Sequence, residues 1–233
     1  MKVYWAEQTE ADVPPENDWL SAAELARLAG IRFAKRRDDW RLGRWIAKRA
    51  LAAYLGARSD CRGLAEIEVR PDSSGAPQVF CGGWRAPVSF SLSHRAGRAV
   101  CALAEPGVVL GCDLELIEPR SAAFASDYFM EEEQAWVARA PAEERHRLLN
   151  LLWSGKESAL KALRVGLRMD TRCLLASPVG GLIDQPAGAW CPLGVRYENG
   201  QFFNGWWQSG EGFVRTMVSA PAPAPPVILH LEY

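Results

Sequence analysis

Asp113 and Glu115, two carboxylates two positions apart in Gly111-Cys112-Asp113-Leu114-Glu115, are the first residues whose types and spacing suit chemistry. On an extended strand alternate residues share a face, so both acids point one way while Cys112 and Leu114 face a core. Like charges held that close raise each other's pKa unless a cation sits between them. Alone, the pair reads equally as the solvent-facing edge of an acidic strand. Glu157 and Lys161, in Trp153-Ser154-Gly155-Lys156-Glu157-Ser158-Ala159-Leu160-Lys161, lie one turn apart on one helix face. By themselves they read as an ordinary ion pair. In combination, three carboxylates from a strand and a later helix suit magnesium, which takes oxygen ligands, keeps waters and shares its shell with substrate phosphates. A lysine beside them, without histidine or cysteine ligands, favours phosphoryl chemistry over zinc hydrolysis. A basic stripe adds to this set: at 100° per residue, Arg37, Arg41, Arg44 and Lys48 fall within about 60° of one another. The stripe is either a phosphate clamp or a solvated basic face. His94 follows the alternating serines Ser89, Ser91 and Ser93, in a turn able to aim side chains and N–H groups at an anion.

The elements that must position these groups are legible from periodicity. Val3 to Ala6 is predicted as a strand, and Ser21 with Glu24 forms a capping box that starts a helix, with Leu20 and Leu25 as its hydrophobic staple. A second helix is predicted from Asp38 to Leu55, ending at Gly56. Ile67 to Val69 reads as a strand, and residues 72–77 as a turn. From Val88 to Ser93 the alternation is strict, and a turn around His94 to Gly97 returns the chain into a strand from Ala99 to Ala104. Val108 to Leu116 is a further strand, followed by helices over Phe124 to Val137 and Glu143 to Leu163, and by a strand-rich stretch to Ser219. Residues 220–226 are an extended Pro/Ala linker, and an apolar tail follows. The order of elements repeats without obvious repetition of sequence. The fold class expected is therefore α+β, in two similar lobes over residues 1–105 and 106–219, with 220–233 as linker and tail and the site between the lobes.

Composition narrows the function classes. With 233 residues and a formal net charge of -1, the chain has no bulk positive charge for nucleic acid, so any anion site is a local cluster. Glu7, Glu10 and Asp12 interrupt any signal peptide, and no apolar run approaches the ~20 residues of a membrane span. The six cysteines form no C-x-x-C pair, consistent with reduced, mostly buried thiols in a cytoplasmic protein.

The pattern G-x-D-x-E, then W-S-x-K-E-S-x-x-K with Glu157 44 residues after Asp113, closely resembles the signature of the 4′-phosphopantetheinyl transferase superfamily. Length and two-lobe layout resemble its monomeric Sfp-type members. The likeness runs from about Phe33 to Asp170: Gly75-Ala76-Pro77 is similar to the family's G-K-P turn, Phe90-Ser91-Leu92-Ser93-His94 to its F-(N/S)-x-S-H segment, and Val165-Gly166-Leu167 to its G-x-G-L stretch. The resemblance implies two similar lobes related by a pseudo-twofold, with coenzyme A bound mainly by the first and magnesium by the second. It implies that Asp113, Glu115 and Glu157 hold magnesium, and that Glu157 is either a ligand or the base that takes the carrier serine's proton. It further implies that Ser93 and His94 touch the coenzyme's phosphates and that Lys161 lies near the transferring diphosphate. Arg44, after Gly43, matches a family position for coenzyme binding, and Arg37, Lys48, Gly75 and Lys156 complete the expected coenzyme-binding set. Glu157, Lys161 and His94 are the expected catalytic residues. The partner implied is an acyl or peptidyl carrier protein. Ala76 and Arg164 depart from the family pattern, which has a basic residue and often glycine there. Two other functions use the same residues: a magnesium-dependent nucleotide phosphodiesterase with water as nucleophile, and a coenzyme- or carrier-binding protein without catalysis.

Overall fold

The computed structural model describes residues 1–72, 75–180 and 188–231. Part of the turn expected over 72–77 lies outside the described residues. In chain order the elements are β1 (Tyr4–Thr9), α1 (Ala22–Ala29), α2 (Ala34–Leu55), α3 (Cys61–Ala65), β2 (Ile67–Pro71), β3 (Pro77–Cys81), β4 (Trp84–Arg85), β5 (Ser89–Arg95) and β6 (Arg98–Ala104). There follow β7 (Val109–Leu116), α4 (Ala122–Tyr128), α5 (Glu131–Arg139), α6 (Arg145–Leu163), β8 (Leu174–Pro178), β9 (Cys191–Tyr197), β10 (Phe202–Gly210), β11 (Phe213–Ala220) and β12 (Val227–Ile228). The chain divides into two compact units: Val3–Gly107 with the chain from Val227 onward, and Val108–Pro226 with Met1–Lys2.

In the unit that begins at Val3, the sheet runs β12-β1-β6-β5, and β2-β3-β4 form a separate small sheet. The stretch after the Pro/Ala linker is a strand here, since β12 pairs in parallel with β1, Tyr4 opposite Val227. Ser21 caps α1 as its spacing predicts, accepting from Glu24 N at 3.3 Å while Glu24 Oε2 accepts from Ser21 N at 3.1 Å. Leu42, Ile46, Ala50 and Leu51 of α2 are fully buried in the core of this unit, with Trp19 and Leu103. The helix stops at Gly56, whose φ of 64° is the left-handed conformation that glycine adopts without steric cost. Two readings of the next hairpin change. His94 belongs to β5, opposite Ala99, and the reversal is made by Ala96 and Gly97 at positive φ. Ser89, Ser91 and Ser93 are the buried positions of β5, at 8%, 4% and 7% exposure, while Phe90 and Leu92 pack partly buried against the core. Alternation located both faces but could not say that both are covered.

In the other unit a five-stranded antiparallel sheet runs β7-β11-β10-β9-β8, with α6 against it through Leu151, Leu152 and Leu160. The single helix expected over Phe124 to Val137 is two, α4 and α5, because Phe129 and Met130 are extended. Phe129 leaves the helical path to bury itself at 1% exposure, and Met130 becomes the cap of a new helix. α6 ends in the left-handed region too, but at Arg164, φ 58°. A side chain there costs about 1 kcal/mol relative to glycine. Arg164→Gly should therefore raise the calorimetric melting temperature by roughly 2–4 °C; no rise would mean that contacts of the arginine offset the backbone cost.

No helix among the described residues is long and apolar enough to cross a membrane. All six cysteines are free, with Cys101, Cys112 and Cys191 buried.

Candidate active site

Gly111 sets the geometry of the acidic strand. A Cβ built on it would lie 1.9 Å from Ser158 O and 2.7 Å from Ala162 N, so the backbone of α6 rests directly on β7. The helix is also pinned to the neighbouring strand by hydroxyls: Ser154 Oγ and Ser158 Oγ lie 2.8 and 2.7 Å from Thr216 Oγ1 of β11. This close approach brings Lys161 Nζ to Asp113, donating to Oδ1 at 2.7 Å and to the Cys112 carbonyl at 3.0 Å. Asp113 is 4% exposed, so its carboxylate is an interior group rather than a solvated edge. Burial works against the Lys161 ammonium, but Asp113 and the other negative groups around it outweigh burial and hold its pKa above the ordinary lysine value.

Glu115 is fixed by residues that motif matching did not single out. Trp153 Nε1 donates to its Oε1 at 3.0 Å, and Arg120 donates to its Oε2 at 2.8 Å. Arg120 is itself oriented by Asn150 Oδ1 at 2.9 Å, and Asn150 donates to the carbonyls of Glu118 and His146 at 2.8 Å each. The available signal was Asn150, a polar residue amid the leucines of α6 and one turn before Trp153, now seen to be fully buried.

Glu157 is strongly perturbed as well. Burial first, and then the charge of Asp113, push its carboxyl up to about 7; Lys161 opposes and Glu115 adds to the rise. As the side chains stand, no three His, Cys, Asp or Glu residues among the described ones form a group able to hold a metal ion. The donor chemistry of the three acids nevertheless fits a hard cation: all are oxygen donors, and the charges of Asp113 and Glu115 that press on Glu157 are what a cation would offset.

In the other unit, the expected basic stripe is resolved into separate roles. Arg37 is exposed in the first turns of α2. Arg41 donates to Asn17 Oδ1 at 2.9 Å and to the Pro15 carbonyl at 3.1 Å, tying down the preceding loop. Arg44 lies 3.7 Å from Glu24 Oε1 and 4.8 Å over the Trp40 ring, with 13% of its side chain exposed. Gly43 faces β5, where a Cβ would be in ordinary contact, 3.4 Å from Leu92 Cδ2 and 3.8 Å from His94 Cδ2. His94 therefore sits beside the turn of α2 that carries Arg44, and Ser93 is buried next to it. Gly75, φ 89°, stands between β2 and β3.

Lys48 and Lys156, both expected at the coenzyme, are interior residues with 0% exposure. Lys48 Nζ donates to the carbonyls of Trp19 (2.9 Å) and Leu64 (3.0 Å) and pairs with Glu24 at 2.5 Å. Lys156 Nζ donates to the carbonyls of Tyr128 (3.0 Å) and Thr171 (3.1 Å) and pairs with Glu133 at 2.5 Å. All donors of each ammonium are thus occupied inside the protein, leaving none to a ligand.

Residues 109–179, which include β7 and α6, match the family model of the 4′-phosphopantetheinyl transferase superfamily. The 4′-phosphopantetheinyl transferase HetI of Nostoc sp. is 27% identical over 190 residues, covering 80% of this chain and 78% of that protein. The 4′-phosphopantetheinyl transferase AcpT of Salmonella typhimurium is 30% identical over 146 residues, 61% of this chain and 68% of that protein. The chain belongs to the 4′-phosphopantetheinyl transferase superfamily. A holo-(acyl-carrier-protein) synthase of Streptococcus sanguinis is 33% identical over 78 residues, 34% of this chain and 64% of that protein. The superfamily match begins at Val109, the first residue of β7, so Asp113, Glu115, Glu157 and Lys161 all fall within it.

Proposed function

We propose that this protein transfers the 4′-phosphopantetheine arm of coenzyme A to a serine of an apo acyl or peptidyl carrier protein, releasing 3′,5′-ADP. What carries the reading is the contact of β7 with α6, where Lys161 meets Asp113 and the Glu157 carboxyl is pushed up to about 7, in a chain of this superfamily. Asp113, Glu115 and Glu157 would hold magnesium, which supplies charge neutralisation at the diphosphate when bound. The serine hydroxyl attacks the phosphorus attached to pantetheine, the bond to 3′,5′-ADP breaks, and Glu157 accepts the hydroxyl proton. Without the cation that carboxyl stands at about 7; magnesium would draw it down into the ionised form, which is the form that accepts a proton. Lys161 supplies a positive partner to the diphosphate oxygens, and His94, in the other unit, is a candidate donor to a coenzyme phosphate. We read the enzyme as monomeric and cytoplasmic.

The deciding experiment follows the mass of apo carrier proteins incubated with coenzyme A. Transfer should stop with EDTA and return with magnesium; a chain that releases free phosphopantetheine would be a hydrolase, and one that transfers in metal-free buffer has no need of the cation.

The coenzyme side is tested at Arg44. A guanidinium on the 3′-phosphate contributes about 1.5–3 kcal/mol, so Arg44→Ala should raise the KM for coenzyme A by roughly 10- to 100-fold and change kcat much less. Dephospho-coenzyme A, lacking that phosphate, should be indifferent to the substitution. An equal loss with both substrates would move Arg44 to the diphosphate or to a structural role.

A further inference from the structure

The two buried lysines are held by the same set of atoms in each unit. Glu24 is the third residue of α1, and its carboxylate accepts from the N-cap amide of Ser21, from Lys48, and from Val69 N of β2 at 3.4 Å. Glu133 is the third residue of α5, and its carboxylate accepts from the amide of Met130 at 2.9 Å, from Lys156, and from Ala176 N of β8 at 3.1 Å. Val69 and Ala176 are each the middle residue of their strand. The carbonyls that complete each lysine come from equivalent places: Trp19 and Tyr128 lie two residues before the caps Ser21 and Met130, and Leu64 and Thr171 lie shortly before β2 and β8. Lys48 and Lys156 each lie about two turns before a helix end in the left-handed conformation, at Gly56 and Arg164. Even the flanking sequence agrees, as Trp45-Ile46-Ala47-Lys48 and Trp153-Ser154-Gly155-Lys156 share W-x-x-K.

We infer that Glu24–Lys48 and Glu133–Lys156 are two copies of one clamp, and that each acts as a positioning element for the functional residue its helix carries. A fully buried ion pair contributes little net stability, because desolvation offsets the attraction. It does fix geometry: the lysine ties its helix to the start of another helix and to two chain segments at once. In the second copy the residue after the clamp lysine is Glu157. In the first it is Arg49, 5% exposed with its guanidinium 5.2 Å over Trp45, and the functional residue lies one turn earlier at Arg44, which shares Glu24 with the clamp. The first clamp therefore sets coenzyme binding and the second sets turnover. This division of labour rests on the transferase reading above; the duplication of the clamp does not.

The test uses paired replacements in the full-length protein, Glu133→Gln with Lys156→Met and Glu24→Gln with Lys48→Met, which avoid stranding a buried charge. The Glu133/Lys156 pair should lower kcat about tenfold or more, with the KM for coenzyme A within about threefold; the Glu24/Lys48 pair should raise that KM about fivefold or more, with kcat within about threefold. Equal changes in both constants for both pairs, or no change in a folded Glu133/Lys156 variant, would overturn the inference and leave only internal packing. If a paired variant fails to fold, Glu133→Asp and Glu24→Asp keep the charge but shorten its reach, and the same split is required of them. If the wild-type protein transfers nothing, the functional reading fails separately. Amide hydrogen exchange then decides: faster exchange confined to residues 157–161 in one variant and 44–48 in the other supports the clamps, and uniform exchange rejects them.

Discussion

Glu157→Gln is expected to lower turnover by about 10²–10⁴-fold, the range that a positioned general base contributes. The substitution keeps the size of the side chain and removes both the proton acceptor and one of three carboxylates facing the proposed cation. It leaves Lys161 on Asp113 and Trp153 on Glu115, so the contact of β7 with α6 should persist. Because burial and the charge of Asp113 already press this carboxyl toward its neutral form, the amide should not lower the melting temperature of the metal-free protein. Rapid-quench measurement with apo carrier separates the chemical step from product release. A variant that turns over at the wild-type rate in saturating magnesium would show that another group takes the serine proton.

Gly111→Ala should be severely damaging for the addition of a single methyl group. The new Cβ would meet the Ser158 carbonyl at 1.9 Å, and both neighbours named there are backbone atoms that no rotamer change can move. The helix must lift from the strand, at a cost of about 3 kcal/mol. Misplacing reacting groups by about 1 Å costs roughly a further 10²-fold in rate. Denaturant melts and steady-state kinetics read the two effects separately. Wild-type stability in this variant would mean that α6 slides freely on β7, and the tight contact would then have no role in holding Lys161 against Asp113.

The parts of the site legible in the sequence were those carried by short-range periodicity. Strand alternation put Asp113 and Glu115 on one extended segment, and helical spacing put Glu157 and Lys161 one turn apart, whereas the close backbone approach at Gly111 is seen only in the fold. Ser21, Glu24 and Gly56 marked helix ends because capping is a local interaction. Periodicity could not separate an exposed cation from a buried one, since that depends on partners distant in sequence: Lys48 meets Glu24, and Lys156 meets Glu133. Arg120 was missed for the same reason, its partners Glu115 and Asn150 lying on different elements. The W-x-x-K repeat was in plain view, but two matching residues in four carry no signal by themselves; only the shared hydrogen-bond partners reveal it. The break at Phe129 was illegible because an aromatic residue among helix formers carries no stop signal, and its burial in the core decides the path.

The chain passes between its two compact units three times, after Lys2, after Gly107 and after Pro226. Neither unit is thus a contiguous stretch of polypeptide, and no single cut separates them intact. Cleavage at the Gly107–Val108 bond would leave the first fragment without β12, baring the parallel edge of β1. An unpaired strand edge of that kind recruits other strands. Expression of the halves as separate polypeptides should favour association through that edge, whereas a circular permutant joining the tail directly to Val3 would keep the four-stranded sheet on one continuous piece.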